Sequence, residues 1–158
     1  MRILGIDPGT GICGFGAIDV KPGKQPVMID NGVISTPPHT PLTERLEDIY
    51  NSMHEIIKLD KPNVVSIEKL FFTKNITTGI SVAEARGVVL LVVKQHNLPI
   101  FEYAPNEIKR IMTGYGGADK KQMQEIVRLH LGLKSVPQPD DAADALAAAI
   151  AYSLMHRE

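Results

Sequence analysis

Along the first third of the chain, apolar residues come in short runs or alternate with polar ones, the pattern of β-strands. "RILGID" is a short apolar run with β-branched residues and an ionisable end, and "GICGFGAIDV" and "PVMIDNGVIST" alternate. "KPGKQP" between the last two has the composition of a turn. From Thr40 the period lengthens. Leu42, Leu46, Ile49, Met53, Ile56 and Ile57 form one helical face, with Thr40 as the expected cap and Pro41 at the first helical position. Lys61-Pro62 ends that helix. "NVVSIE" then reads as a buried strand, a helix is predicted from about Thr78 to Gln95, and "PIFEY" is another strand. Pro105 opens a short helix stopping near Gly114. "GYGGADKKQ" is a glycine-rich loop leading to a helix capped by Asp119, with Gln122 three positions on, and that helix ends at Gly132. The last helix starts at Asp140 or Asp141.

Three consecutive short strands predict an antiparallel meander, and the strand–helix alternation after them predicts parallel strands with helical crossovers. The expected fold is α/β: a mixed five-stranded sheet flanked by helices. At 158 residues, 44% hydrophobic and 22% charged, the chain fits a single domain over 1–158 with a proper core. Its one cysteine, Cys13, excludes an intramolecular disulfide and suits a reducing compartment. "MRILGID" lacks the apolar core of a secretory signal, and the run from Ala145 to Met155 is too short to span a bilayer. The expected location is cytoplasmic, away from membranes.

Candidate chemistry begins with "PQPDDAADALAAAIAY". Asp140, Asp141 and Asp144 crowd the start of an alanine-rich helix, where free N–H groups and the helix dipole favour anions. Capping employs one or two carboxylates, and three is a surplus. Asp141 and Asp144 stand at i and i+3, so both emerge on one face, as a divalent metal with oxygen ligands requires. Asp7 and Glu68 each end an apolar strand, where an ionised acid is costly unless paired or bound to metal. If strands one and four are neighbours and the last helix crosses them, all four carboxylates meet. That would suit two Mg²⁺ or Mn²⁺ ions and in-line displacement at phosphorus. The histidines show no paired spacing of a zinc site.

The dinucleotide fingerprint G-x-G-x-x-G is satisfied from Gly9 to Gly14, with Asp30 near the expected ribose acid. A helix must follow such a motif, and here the sequence is strand-like. "IDPGTG" is similar to the phosphate loop of two-lobed ATPases, but the chain has the length of one lobe, and no Walker lysine follows. Net charge is only −1, yet residues 69–134 carry ten Lys/Arg against five Asp/Glu. A basic middle between acidic ends is compatible with a phosphate-binding surface beside an acidic metal site.

"ILGIDPGTGICGFG", "IEKLFFTKN", "AEARGV", "EYAPNEIKRIMTGYGGADKKQMQ" and "PQPDDAADALAAAIAY" resemble, in order and over nearly the whole chain, the RuvC family of Holliday-junction resolvases. The resemblance implies an RNase H-like fold. It also implies a homodimeric, Mg²⁺-dependent endodeoxyribonuclease that nicks opposing strands of a four-way DNA junction, leaving 5′-phosphate and 3′-hydroxyl ends. It carries catalytic and metal-binding roles onto Asp7, Glu68, Asp141 and Asp144; some relatives have histidine where Asp141 stands. Asp141 or Asp144 is also a candidate to deprotonate the attacking water. Asp140 is an extra acid, read as a cap. Phe71 and Phe72, between Lys69 and Lys74, are expected either to meet unstacked bases or to anchor the next helix in the core, with the lysines on phosphate. Arg86, Lys109 and Lys120 match basic family positions, and Lys121 is adjacent; all four are candidate DNA contacts. Val82, Val89 and Val93 are candidates for a dimer interface or for the core. Contact with a branch-migration motor is suggested by the resemblance alone. The competing expectations are an RNase H-like ribonuclease and a non-catalytic nucleic-acid-binding module.

Overall fold

The structure, a computed structural model, describes residues 1–70 and 76–157. β1 (Arg2–Asp7), β2 (Ile12–Asp19) and β3 (Val27–Ser35) form the meander, followed by α1 (Leu42–Asp60) and β4 (Val64–Glu68). Then come α2 (Ile76–Gln95), β5 (Ile100–Tyr103), α3 (Pro105–Thr113), α4 (Lys120–Leu131) and α5 (Asp140–Met155). The sheet order is β3-β2-β1-β4-β5, antiparallel from β3 to β1 and parallel from β1 to β5. The mixed sheet expected from the pattern is the one observed.

Strand alternation sorts the chain into two cores. Ile3 and Val64 face α5, in a cluster with Leu146, Ile150, Ile108 and Val127. Leu4, Ile6, Val65 and Ile67 face the other way, against Ile49, Met53, Val89 and Val92 of α1 and α2. Side chains two apart on a strand share a face. Gly5 and Asp7 therefore follow Ile3 onto the α5 side, and Ser66 and Glu68 follow Val64. The Ser66 hydroxyl confirms this, donating 2.6 Å to the Ala148 carbonyl of α5. Helix α5 is buried along most of its length between the sheet and α3–α4. Alanine suits that position because it forms helix readily and lets neighbouring backbones approach.

Several local expectations are corrected. Pro41 is the N-cap of α1 rather than its first residue, and the Thr40 hydroxyl instead donates 2.7 Å to the Pro37 carbonyl. The φ of proline suits either position. Helix α2 is described over Ile76–Gln95, which contains the predicted span. Val89 and Val93 lie fully in the core and Val82 is half-buried, while Ile76, Ile80 and Leu91 are the exposed apolar residues of that helix. By length and composition α2 could cross a membrane, and it is a longer apolar run than the one weighed from sequence. Its Ala85, Val89, Val92 and Val93 stripe is nevertheless committed to the core shared with α1. The Asp119 cap behaves as expected, accepting from the Gln122 N–H at 2.8 Å while the Asp119 N–H donates to the Gln122 side chain.

Candidate active site

β1 and β4 run parallel, with Ile6 paired to Ile67, so the next residues, Asp7 and Glu68, end neighbouring strands on the α5 face. The start of α5 must come close to reach them. Small residues on the strands allow it: a Cβ on Gly5 would collide with the Ala145 carbonyl, and one on Gly14 with the Asp141 carbonyl. With the helix seated that tightly, carboxylate oxygens of Asp7, Asp141 and Asp144 all lie within 4.8 Å of one another. Each of the three residues is half-buried.

The electrostatics record the crowding. Burial, then the charges of Glu68, Asp144 and Asp141, push the Asp7 carboxyl up to about 8. Burial and Asp144 push Glu68 up to about 7, against an opposing pull from Lys109. Asp144 is raised chiefly by burial, and Lys120 acts against that rise. Glu68 stands beside the three-carboxylate group rather than inside it, and links two clefts. One, of about 240 Å³, includes Glu68, Lys109, Lys120 and Asp144 in its wall. The other, of about 280 Å³, includes Asp7, Glu68, Lys69 and Arg86. Nearby, burial pushes the Cys13 thiol up to about 12, which keeps it protonated and inert.

The remaining candidates divide. Lys109 and Lys120 line the cleft beside Glu68 and Asp144, and their charges oppose the rise in those carboxyls. Lys120 also pairs with Asp140 at 3.1 Å, and the Gln124 side-chain amide donates to Asp140 at 3.1 Å. Asp140 is therefore not the cap expected of it: Pro139 occupies the N-cap, and Asp140, the first helical residue, ties α5 to α4. Lys121 points into a different hollow, with Tyr115, Glu125 and Ile126. Arg86 pairs with Glu102 of β5 at 3.1 Å, and its buried Nε has no hydrogen-bond partner among the described residues. Lys69 is exposed, and its backbone N–H donates 2.8 Å to the Tyr103 carbonyl. Phe71, Phe72 and Lys74 lie outside the described residues. Sequence reasoning passed over the Asp140–Lys120 tie and the glycine seats for α5. The seats had a legible signal in Gly5, Gly14 and Gly16, set on adjacent strands ahead of an alanine-rich helix.

A meander continued by parallel strands, with acids at the carboxyl ends of the central strand β1 and its parallel neighbour β4, has the architecture of RNase H-like nucleases. Within that class the comparisons are specific. The family "crossover junction endodeoxyribonuclease RuvC" matches residues 3–152. The enzyme of that name from Chloroflexus aggregans is 49% identical over 97% of this chain and 93% of its own length. That from Desulfitobacterium hafniense is 50% identical over 97% of this chain and 92% of its own. Among solved structures, T. thermophilus RuvC in complex with a Holliday junction substrate superposes with a TM-score of 0.93 at 32% identity, covering 99% of this chain and 95% of that one. The yeast mitochondrial resolvase Ydc2, at 12% identity and a TM-score of 0.70, covers 96% of this chain and 77% of its own and shares the fold. The chain belongs to the RuvC family of crossover junction endodeoxyribonucleases.

Proposed function

We infer that this chain resolves Holliday junctions by hydrolysing DNA phosphodiester bonds at the Asp7, Glu68, Asp141 and Asp144 cluster, with residues 1–158 acting as one nuclease domain. The observation that carries the reading is the convergence of three carboxylates within 4.8 Å, with Glu68 alongside, in a chain of this family. The donor set fits Mg²⁺: all oxygen and half-buried, with Asp7 and Glu68 raised first by burial and then by the charges of neighbouring acids, which a divalent cation offsets. Two bound ions would activate water and stabilise the leaving 3′ oxygen, with Mn²⁺ able to substitute.

The chain's own residues do the rest. Asp7, Asp141 and Asp144 hold the cation, and Glu68 completes the set from the adjoining strand. Asp141 or Asp144 accepts the proton of the attacking water. Lys109 and Lys120, on the flank of Glu68 and Asp144, orient the scissile phosphate. Lys69 and Arg86, across the second cleft, hold the backbone beyond it. Phe71 and Phe72 meet the unstacked bases, with Lys74 on phosphate. Cutting two strands takes two copies, paired through exposed apolar residues of α2 such as Ile80 and Leu91.

The test compares labelled four-way junction, linear duplex and RNA–DNA hybrid, each with and without Mg²⁺. Cleavage of the junction alone, and only with the metal, supports the reading. Preferential cutting of the hybrid would make the protein a ribonuclease. Binding without cutting would make it a recognition module.

A further inference from the structure

A second built hollow lies at the opposite end of β1 and α5 from the carboxylates, with a volume of about 790 Å³. The turn between β2 and β3 forms one wall, and the ends of α4 and α5 form the other. The turn is fastened in place: the Gln25 amide donates to the Leu129 and His130 carbonyls, at 3.0 and 3.2 Å.

Its chemistry is one-sided. Lys21, Lys24 and Arg157 contribute to the lining, as does His130, whose pKa burial lowers, and among the described residues no Asp or Glu does. Among the described residues no ion pair engages Lys21, Lys24 or Arg157. Val20, Pro22, Pro26 and Leu154 add apolar lining, together with the ring of Tyr152. That ring is fixed, 7% exposed, with the His156 ring stacked at 4.2 Å and Phe101 at 4.8 Å. Cations around an apolar lining suit a ligand that is both acidic and apolar. A phosphate compound fits less well. The carboxyl ends of α4 and α5 disfavour any anion, and a free phosphate would also leave the apolar lining unused, whereas a peptide side chain fills it.

We propose that this hollow docks an acidic peptide segment of a partner protein. An apolar side chain of the segment rests on Leu154 and the exposed His156 ring, and its carboxylates meet Lys21, Lys24 and Arg157. The site is separate from the nuclease reading, since nothing in its lining touches the carboxylate cluster.

The probe is a random peptide library displayed on phage, selected on the intact protein and counter-selected on a Lys21→Glu/Lys24→Glu variant. Recovered peptides should combine Asp or Glu with an aromatic or aliphatic residue. Synthesised singly, they should bind the variant about tenfold more weakly or worse. Lys21→Ala/Lys24→Ala should give a smaller loss, which guards against a folding defect in the double reversal. The Asp7→Asn protein should bind them unchanged, and the turn variants should cut junctions at the normal rate. Failure to recover acidic peptides, or equal binding to both forms, would overturn the proposal. Displacement by inorganic triphosphate, or weakened junction binding by the turn variants, would overturn it too by assigning the hollow to phosphate.

Discussion

The backbone carbonyl of Asp141 occupies the space that a side chain on Gly14 would need. This contact sets how near α5 comes to β1 and β2, and so whether Asp141 and Asp144 can share a cation with Asp7. Gly14→Ala should push the start of α5 outward. The expected cost is about 1–3 kcal/mol of stability, as for other overpacked sites, with loss of cleavage beyond what that destabilisation explains. Gly87 is the contrasting case, because a Cβ there meets nothing within 4 Å. Gly87→Ala should stabilise α2 by about 0.5–1 kcal/mol. Denaturant unfolding of the two variants, with junction cleavage measured in parallel, checks both signs.

The raised carboxyls make the metal-free protein sensitive to pH. Asp7 is pushed from an ordinary 3.8 to about 8, Glu68 from 4.5 to about 7, and Asp60, buried beside Asp30, from 3.8 to about 6. Through this interval the native state holds protons that the unfolded chain has released. Stability is therefore greatest below about pH 4 as far as these groups decide it, and falls as pH rises to about 8. A metal that needs the ionised carboxylates reverses the balance, so Mg²⁺ affinity should rise over the same range. Melting curves in EDTA should shift down with pH, and Asp7→Asn should flatten that slope and raise the melting point near pH 8. A flat profile for the unsubstituted protein in EDTA would contradict the crowding of the site.

Asp7→Asn should abolish cutting while leaving junction binding nearly intact, because the amide keeps the shape and removes the charge. Glu68→Gln and Asp144→Asn should behave alike. Asp140→Asn tests a different role: it frees Lys120 from its 3.1 Å partner. Cleavage should persist there, with a change confined to DNA affinity. Gel-shift and cleavage assays on the same junction separate these outcomes, and a loss at Asp140 equal to that at Asp7 would move the metal role onto Asp140.

Lys109 and Lys120 sit on the wall of the cleft that contains Glu68 and Asp144. Each Lys→Ala change should weaken junction binding and make the logarithmic salt dependence shallower by up to about one, the value for one lost phosphate contact. Lys121, in a separate hollow with Tyr115 and Glu125, should have less effect. Affinities measured across a salt series decide among the three, and an unchanged slope for Lys109→Ala would return it to the solvated surface.

The order of elements was legible because strands and helices differ in period, and the acids stood out because each ended an apolar run. The meeting of the four acids was conditional on strands one and four being neighbours with the last helix across them. The Ile6–Ile67 pairing and the packing of α5 on both strands meet that condition, and Asp7, Asp141 and Asp144 converge with Glu68 alongside. What escaped was set by contacts between distant parts of the chain. Asp140 has the composition of a cap, yet its partners Lys120 and Gln124 come from α4, which no local pattern could reveal. Val89 and Val93 read equally as core or interface, because periodicity fixes a face and not what covers it. Only the seating of α2 against α1 and the sheet assigns them to the core.

A four-way junction offers two equivalent strands, whereas Asp7, Asp141 and Asp144 form one candidate metal group among the described residues. A single copy would have to release and rebind between cuts. A two-fold pair places one cluster at each strand and cuts both within one encounter. The exposed Ile80 and Leu91 of α2 are the residues to perturb, since Val89 and Val93 are already buried in the core. Ile80→Asp with Leu91→Asp should shift sedimentation toward monomer while each subunit keeps its fold and its carboxylates. On a cruciform plasmid the unsubstituted protein should give linear product directly, and the variant should accumulate nicked circles. Nicked circles from both, together with monomers at micromolar concentration, would leave the metal chemistry standing and remove the paired mechanism.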